Sequence, residues 1–147
     1  MRASDAIRLT AEPPGDAARD ALLRATGTLP RPGGPDGFRG VAALWARDRD
    51  LLVGQGVVLE LRRRVARRDA LVPDGWDGAV GLVDMLCVRP EYREAGLEER
   101  IVLALARRFR AAVPARDALL YVGEARAPVL LSTLDALGPS GRDRWLR

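Results

Sequence analysis

The chain has 147 residues, 48% of them hydrophobic, which excludes wholesale disorder and supplies a core for one domain spanning 1–147. All 24 basic residues are arginine, set against 20 acids, and there is no lysine, asparagine or histidine; without histidine there is no Ser-His-Asp or Cys-His catalysis and no metal site is read. No apolar run reaches the roughly 18 residues needed to cross a bilayer, the first residues lack a secretory core, and a lone cysteine, Cys87, has no disulfide partner, which together favour the cytoplasm.

In chain order, "AIRLTAE" (Ala6 to Glu12) alternates as a strand does. "PPGDAARDALLRATG" predicts a short helix with Asp16 as its cap, Ala18, Ala21, Leu22 and Ala25 as its apolar stripe and Gly27 as its stop. "LPRPGGPDG" is a loop by its proline and glycine content. A β-hairpin follows: Val41 to Ala46 is strand-like, "RDRD" turns, and "LLVGQGVVLEL" returns, with Gly54 and Gly56 marking a bulge or kink. "RRDALVPDGWDGA" is irregular, and its Trp76 is read as covering an edge of the core.

"AVGLVDMLCV" (Ala79 to Val88) is almost wholly apolar and predicts a central strand buried on both faces, with Asp84 its one charge and Pro90 shortly beyond its end. Leu97 to Val113 predicts an amphipathic helix, with Leu97, Ile101, Val102, Leu105, Phe109 and Val113 on one stripe. "DALLYVGE" is a further buried strand, "APVLLSTLDALG" a short helix opening at Pro128, and "RDRWLR" a last strand. Strand, helix and strand in the middle make a βαβ unit, hence a parallel pair with a right-handed crossover. Fold class is α/β: a mixed sheet flanked by helices.

The net charge of +4 and a pI near 10.4 raise the question of nucleic acid. The universal use of arginine, with abundant Ala, Gly, Pro and Leu, has the pattern of a GC-rich coding sequence, and acids are interspersed throughout. The densest basic run, "RRRVARR" (Arg62 to Arg68), reads as a solvated strand end, so nucleic acid is not the expected partner.

"LVDMLCVRPEYREAGLEERIVLALARRF" resembles the central motif of the GNAT superfamily of N-acetyltransferases, in which a strand ending "V-x-P-x-Y-R" runs into R/Q-x-x-G-x-G/A at the head of a long helix. Val88, Pro90, Glu91, Tyr92, Arg93 and Gly96 carry the match. The resemblance implies a GNAT-like fold and acetyl-CoA as cosubstrate. Its pyrophosphate would lie on the backbone N–H groups of Arg93, Glu94, Ala95, Gly96, Leu97 and Glu98, with the pantetheine arm along Leu86, Cys87 and Val88. The acceptor would be a primary amine on a small molecule or protein, and homodimers are frequent in the family.

Three positions depart from the pattern. Glu98 stands where the motif ends in Gly or Ala; at 4 Å, two like charges cost roughly 1 to 4 kcal/mol at effective dielectrics of 80 down to 20. As a structural residue, Glu98 with Glu99 instead complements the dipole of its helix. The tyrosine that often acts as general acid after the next strand is missing, leaving Ser132 or Thr133 near its place, and Arg126 stands about where an asparagine is usual. Asp84 is the candidate general base, Cys87 is read as a small core residue, and Tyr121 as a packing residue. The resulting expectation is an acyl-CoA-dependent N-acetyltransferase acting by direct attack. The alternative is a GNAT-fold binding protein that has lost catalysis.

Overall fold

The backbone is organised around one twisted mixed sheet. The computed structural model describes residues 6–29, 37–61, 75–76, 78–113 and 118–122, with the backbone of 129–130. The elements are β1 (Ile7–Thr10), α1 (Asp16–Thr26), β2 (Phe38–Asp48), β3 (Leu51–Leu61), β4 (Ala79–Val88), a 3-10 helix (Pro90–Ala95), α2 (Leu97–Ala112), β5 (Ala118–Val122) and β6 (Val129–Leu130). Among the described residues the sheet has six strands in sequence order, β1 to β6. Only β4 and β5 are parallel, joined across α2 as the βαβ pattern requires; the other neighbours are antiparallel.

Apolar periodicity explains where the layers meet. Every residue of the predicted α2 stripe is buried: Leu97, Ile101, Val102, Leu105, Phe109 and Val113. Arg107, Arg108 and Arg110 lie outside on the exposed face. The stripe packs on Leu44, Val53, Val58, Val83, Val88 and Leu120 of the sheet. The contact is close enough that β3 and β4 carry glycine beneath it. A Cβ on Gly56 would lie 2.9 Å from Ile101 Cγ2, and one on Gly81 would lie 2.8 Å from Phe109 Cζ. On the opposite face α1 sits with Leu22 and Leu23 against Leu52 and Cys87.

Several expectations are corrected. Asp16 does not cap α1: Gly15 is the N-cap, and Asp16 lies in the first turn, where its charge complements the dipole. The α1 stripe is centred on Leu22 and Leu23, with Ala25 exposed, because the leucines bury more area than the alanines. Gly27 does end the helix, at φ 66°. The segment opening at Pro128 is not helical at Val129 and Leu130, which pair antiparallel with Leu120 and Leu119. There the free edge of β5 offers ladder hydrogen bonds that outweigh local helix preference. Trp76 covers the cluster of Leu61, Val80 and Tyr121, and its Nε1 donates to the Ala79 carbonyl at 3.1 Å. The loop 30–36, the basic run 62–68, Arg126, Ser132, Thr133 and "RDRWLR" lie outside the described residues.

Candidate active site

The predicted site segment begins where β4 stops behaving as a regular strand. Pairing with β5 runs from Ala79↔Ala118 to Val83↔Val122, and among the described residues β4 continues beyond it paired only with β3. On that side the register jumps: Gln55 faces Cys87 and Val57 faces Asp84. Gly56 is therefore opposite two residues, Met85 and Leu86, which is a β-bulge. Met85 takes φ 53°, a left-handed conformation that costs a side-chain-bearing residue roughly 1 to 2 kcal/mol. Gln55, the one buried polar side chain among the described residues, donates from Nε2 to the Met85 carbonyl at 3.4 Å. The bulge takes the backbone of Met85 and Leu86 out of the β3 ladder, which resumes at Cys87 and Val88 opposite Gln55 and Gly54.

Asp84 lies on β4 immediately before the bulge and is half-buried. By alternation it shares the face of Val80 and Leu82, away from α2. Cys87 follows the bulge on the α1 side, 5% exposed, beside Leu22, Leu23 and Leu52. Burial raises its thiol pKa above the ordinary 9.0; hydrogen bonds from Thr26 and Thr28 act the other way, and the charge of Glu98 adds to the rise. Thr26 and Thr28 are themselves bonded, Oγ1 to Oγ1 at 2.8 Å, and Thr26 donates to the Leu22 carbonyl at 3.0 Å. An open groove of about 470 Å3 adjoins this cluster, lined by Asp20, Leu23, Arg24, Gly27, Thr28 and Leu29.

Past Pro90 the chain makes a 3-10 helix rather than a plain turn, then Gly96 enters α2 at φ 72°, ψ 21°. A Cβ there would meet nothing within 4 Å, so the face of the turn is open. Residues Arg93 and Glu94 are exposed, Ala95 and Gly96 half-buried, and Leu97 is buried in the core. The Arg100 N–H bonds back to the Gly96 carbonyl at 3.2 Å, while the N–H groups before it begin the helix and are unsatisfied within it. Glu98 is half-buried in that first turn, and its charge reaches the Cys87 thiol, so its carboxylate acts on the β4 side of the helix.

Long-range bonds fix this turn. The Arg89 N–H donates to the Val53 carbonyl at 2.8 Å and Arg89 Nε to the Leu52 carbonyl at 2.8 Å. Tyr92 donates its hydroxyl to Asp48 Oδ2 at 2.6 Å, and that bond is the main cause raising its pKa above the ordinary value. Arg100 Nη2 reaches the Ile7 carbonyl on β1 at 3.0 Å.

The structure thus puts Asp84, Leu86, Cys87 and Val88 around the bulge at the C-terminal end of one strand, with Arg93, Glu94, Ala95, Gly96, Leu97 and Glu98 following along the 3-10 helix and the α2 N-terminus. Tyr121 is buried against Leu61 and Val80, and burial raises its pKa. Sequence reasoning missed Gln55, whose signal was a lone amide in an apolar strand. It also missed the Tyr92–Asp48 pair, whose members are 44 residues apart and carry no local signal.

The backbone here fits an anionic ligand such as acetyl-CoA: an open glycine turn, a helix N-terminus and a bulged strand leading into them. The Glu98 carboxylate opposes the same ligand electrostatically. No family model matches the chain, and no curated protein does. Among solved structures, it is similar to a probable acetyltransferase of unknown function from meticillin-resistant Staphylococcus aureus, with 17% identity, a TM-score of 0.52 and 93% of each chain covered. It is also similar to glucosamine-6-phosphate N-acetyltransferase from Arabidopsis thaliana, with 9% identity, a TM-score of 0.52, and 82% of this chain and 83% of that one covered. What the chain has in common with them is the fold: a mixed sheet flanked by helices, of the GNAT type.

Proposed function

We propose that this protein is an N-acetyltransferase that moves the acetyl group of acetyl-CoA to a primary amine by direct attack. The observation that carries the reading is the continuity from the Met85–Leu86 bulge, through the end of β4, into the open Gly96 turn. In a GNAT-type fold that path serves both ends of one long ligand. The backbone N–H groups at the head of α2, those of Leu97 and Glu98, would hold the pyrophosphate, since those of Arg93 to Ala95 are engaged in the 3-10 helix. Backbone groups of Leu86, which the bulge takes out of the β3 ladder, and of Cys87 and Val88 just beyond it would orient the pantetheine arm. Bound there, acetyl-CoA supplies an activated acyl group.

Asp84 is the group on this strand able to accept the proton released by the acceptor amine. Thr133 is the hydroxyl assigned to the leaving thiol. Cys87 takes no part: a thiol buried and held protonated is a poor nucleophile at neutral pH.

Calorimetric titration with acetyl-CoA tests the reading. Binding to the wild type, tightened by Glu98→Gly, is expected. No binding to either protein at millimolar ligand overturns it and leaves the fold as a non-catalytic scaffold.

A further inference from the structure

We propose that Tyr92 and Asp48 are a positioning pair: the β2–β3 hairpin tip holds the anion-binding turn in register with the β4 bulge through one side-chain hydrogen bond. The inference rests on the proposed function for the identity of the ligand, acetyl-CoA, but not for the restraint itself.

Asp48 is the last residue of β2, and Asp48↔Leu51 closes the hairpin around Arg49 and Asp50. Arg49 takes φ 56° there, so the turn is tight. A carboxylate so placed has few conformations to lose. Tyr92 stands in the middle of the Pro90–Ala95 helix, between the end of β4 and Gly96. Its ring packs on the core shared by the sheet and α2, leaving the hydroxyl to reach Asp48 at 2.6 Å. That length is typical of a charge-assisted O–H···O bond.

The spacing of restraints gives the bond its role. Arg89 fastens the start of the segment to Leu52 and Val53. Arg100 fastens the far side to Ile7. Between them lie ten residues that carry the anion-binding N–H groups, and Tyr92 is their polar side-chain tether to the hairpin. Arg93 and Glu94, directly after it, are exposed. Without the tether the turn is free to shift against β4 while Leu97 and Val88 stay buried. The fold then survives, and the two halves of the ligand path lose their mutual alignment. Sub-ångström misplacement of this kind weakens binding steeply.

The test is a double-mutant cycle on the full chain with Tyr92→Phe, Asp48→Ala and their combination, plus Asp48→Asn, which keeps an acceptor oxygen. Two measurements are made: amide hydrogen exchange over residues 93–98, and the acetyl-CoA dissociation constant by calorimetry. Each single variant is expected to speed exchange in that turn about five- to tenfold. The double variant should be no faster than either single, and Asp48→Asn should recover most of the protection. Acetyl-CoA affinity should fall by a similar factor, with the same non-additivity.

Unchanged exchange at 93–98, or effects of the two singles that multiply, overturns the proposal. So does acceleration spread equally over β2, β3 and β4 with an unchanged dissociation constant, which marks a bond that only stabilises the hairpin. If the wild type does not bind acetyl-CoA, the functional reading fails and the exchange cycle alone decides whether the pair positions the turn.

Discussion

Replacing Gly81 by alanine tests how closely α2 is seated on the sheet. Gly81 sits in β4 between Glu60 on β3 and Leu120 on β5. An added Cβ would lie 2.8 and 2.9 Å from Phe109 Cζ and Cε2 and 3.0 Å from Leu120 Cδ1, whereas carbon atoms settle at about 3.5 to 4.0 Å. The ring must therefore retreat by roughly 0.7 Å. Phe109 and Leu120 are both 0% exposed, so neither has free space to move into. Such overpacking costs about 1 to 3 kcal/mol. Relief of the glycine's entropic penalty in a strand returns about 0.5 to 1 kcal/mol. The two together span a loss of about 0 to 2.5 kcal/mol, and with neither neighbour able to move the expectation is the upper half of that range, read as a lower urea midpoint and a melting temperature reduced by about 3 to 7 °C. In a Phe109→Leu background the same substitution should cost less, since the ring edge is gone, giving a coupling of about 1 kcal/mol. Wild-type stability or better for Gly81→Ala, or an unchanged cost in the Phe109→Leu background, would refute the packing described.

Glu98→Gln removes a charge from the α2 N-terminus and should tighten acetyl-CoA binding about fivefold or more, an effect that shrinks with added salt; equal affinity for both proteins at low salt argues against electrostatic opposition. For Cys87, burial raises the folded-state pKa above 9.0. The unfolded chain therefore releases its thiol proton first, and the stability that Cys87 contributes below its unfolded pKa is lost as pH climbs through the folded value. Urea midpoints at pH 7 and 10 should show a larger drop for the wild type than for Cys87→Ala, and parallel drops would contradict this. Arg49→Gly places glycine at φ 56° and should stabilise the hairpin by up to about 1 kcal/mol, whereas a loss of 1 kcal/mol in chemical denaturation would show that the turn does not require the left-handed conformation.

The parts of the fold that were legible in sequence are those where one physical signal dominates. An unbroken apolar run gave β4 its two ends, Ala79 and Val88, because only a strand covered on both faces tolerates it. The 3.6-residue stripe of α2 identified every buried position from Leu97 to Val113 except Ala106. Gly54 and Gly56 announced irregularity on β3, but the left-handed residue itself, Met85, is on the partner strand and looks ordinary in sequence. Val129 and Leu130 misled because a two-residue edge strand has no period, and pairing with β5 decided it. In the site, the order of motif residues along the turn could be read directly. Distances between hairpin and turn could not, since Arg89, Tyr92 and Arg100 meet partners 37, 44 and 93 residues away.

The sequential strand order also has a kinetic consequence. Each strand from β2 to β4 finds its antiparallel neighbour next along the chain, so this half of the sheet needs no parallel crossover and is expected to assemble early. The β4–β5 pair differs: it needs a parallel crossover and must wait until the 16 residues of α2 have formed and docked. β5 therefore reaches the Ala79–Val83 half of β4 after α2 has docked. During synthesis the chain would hold a completed bulge and hairpin before β5 pairs with the first half of β4.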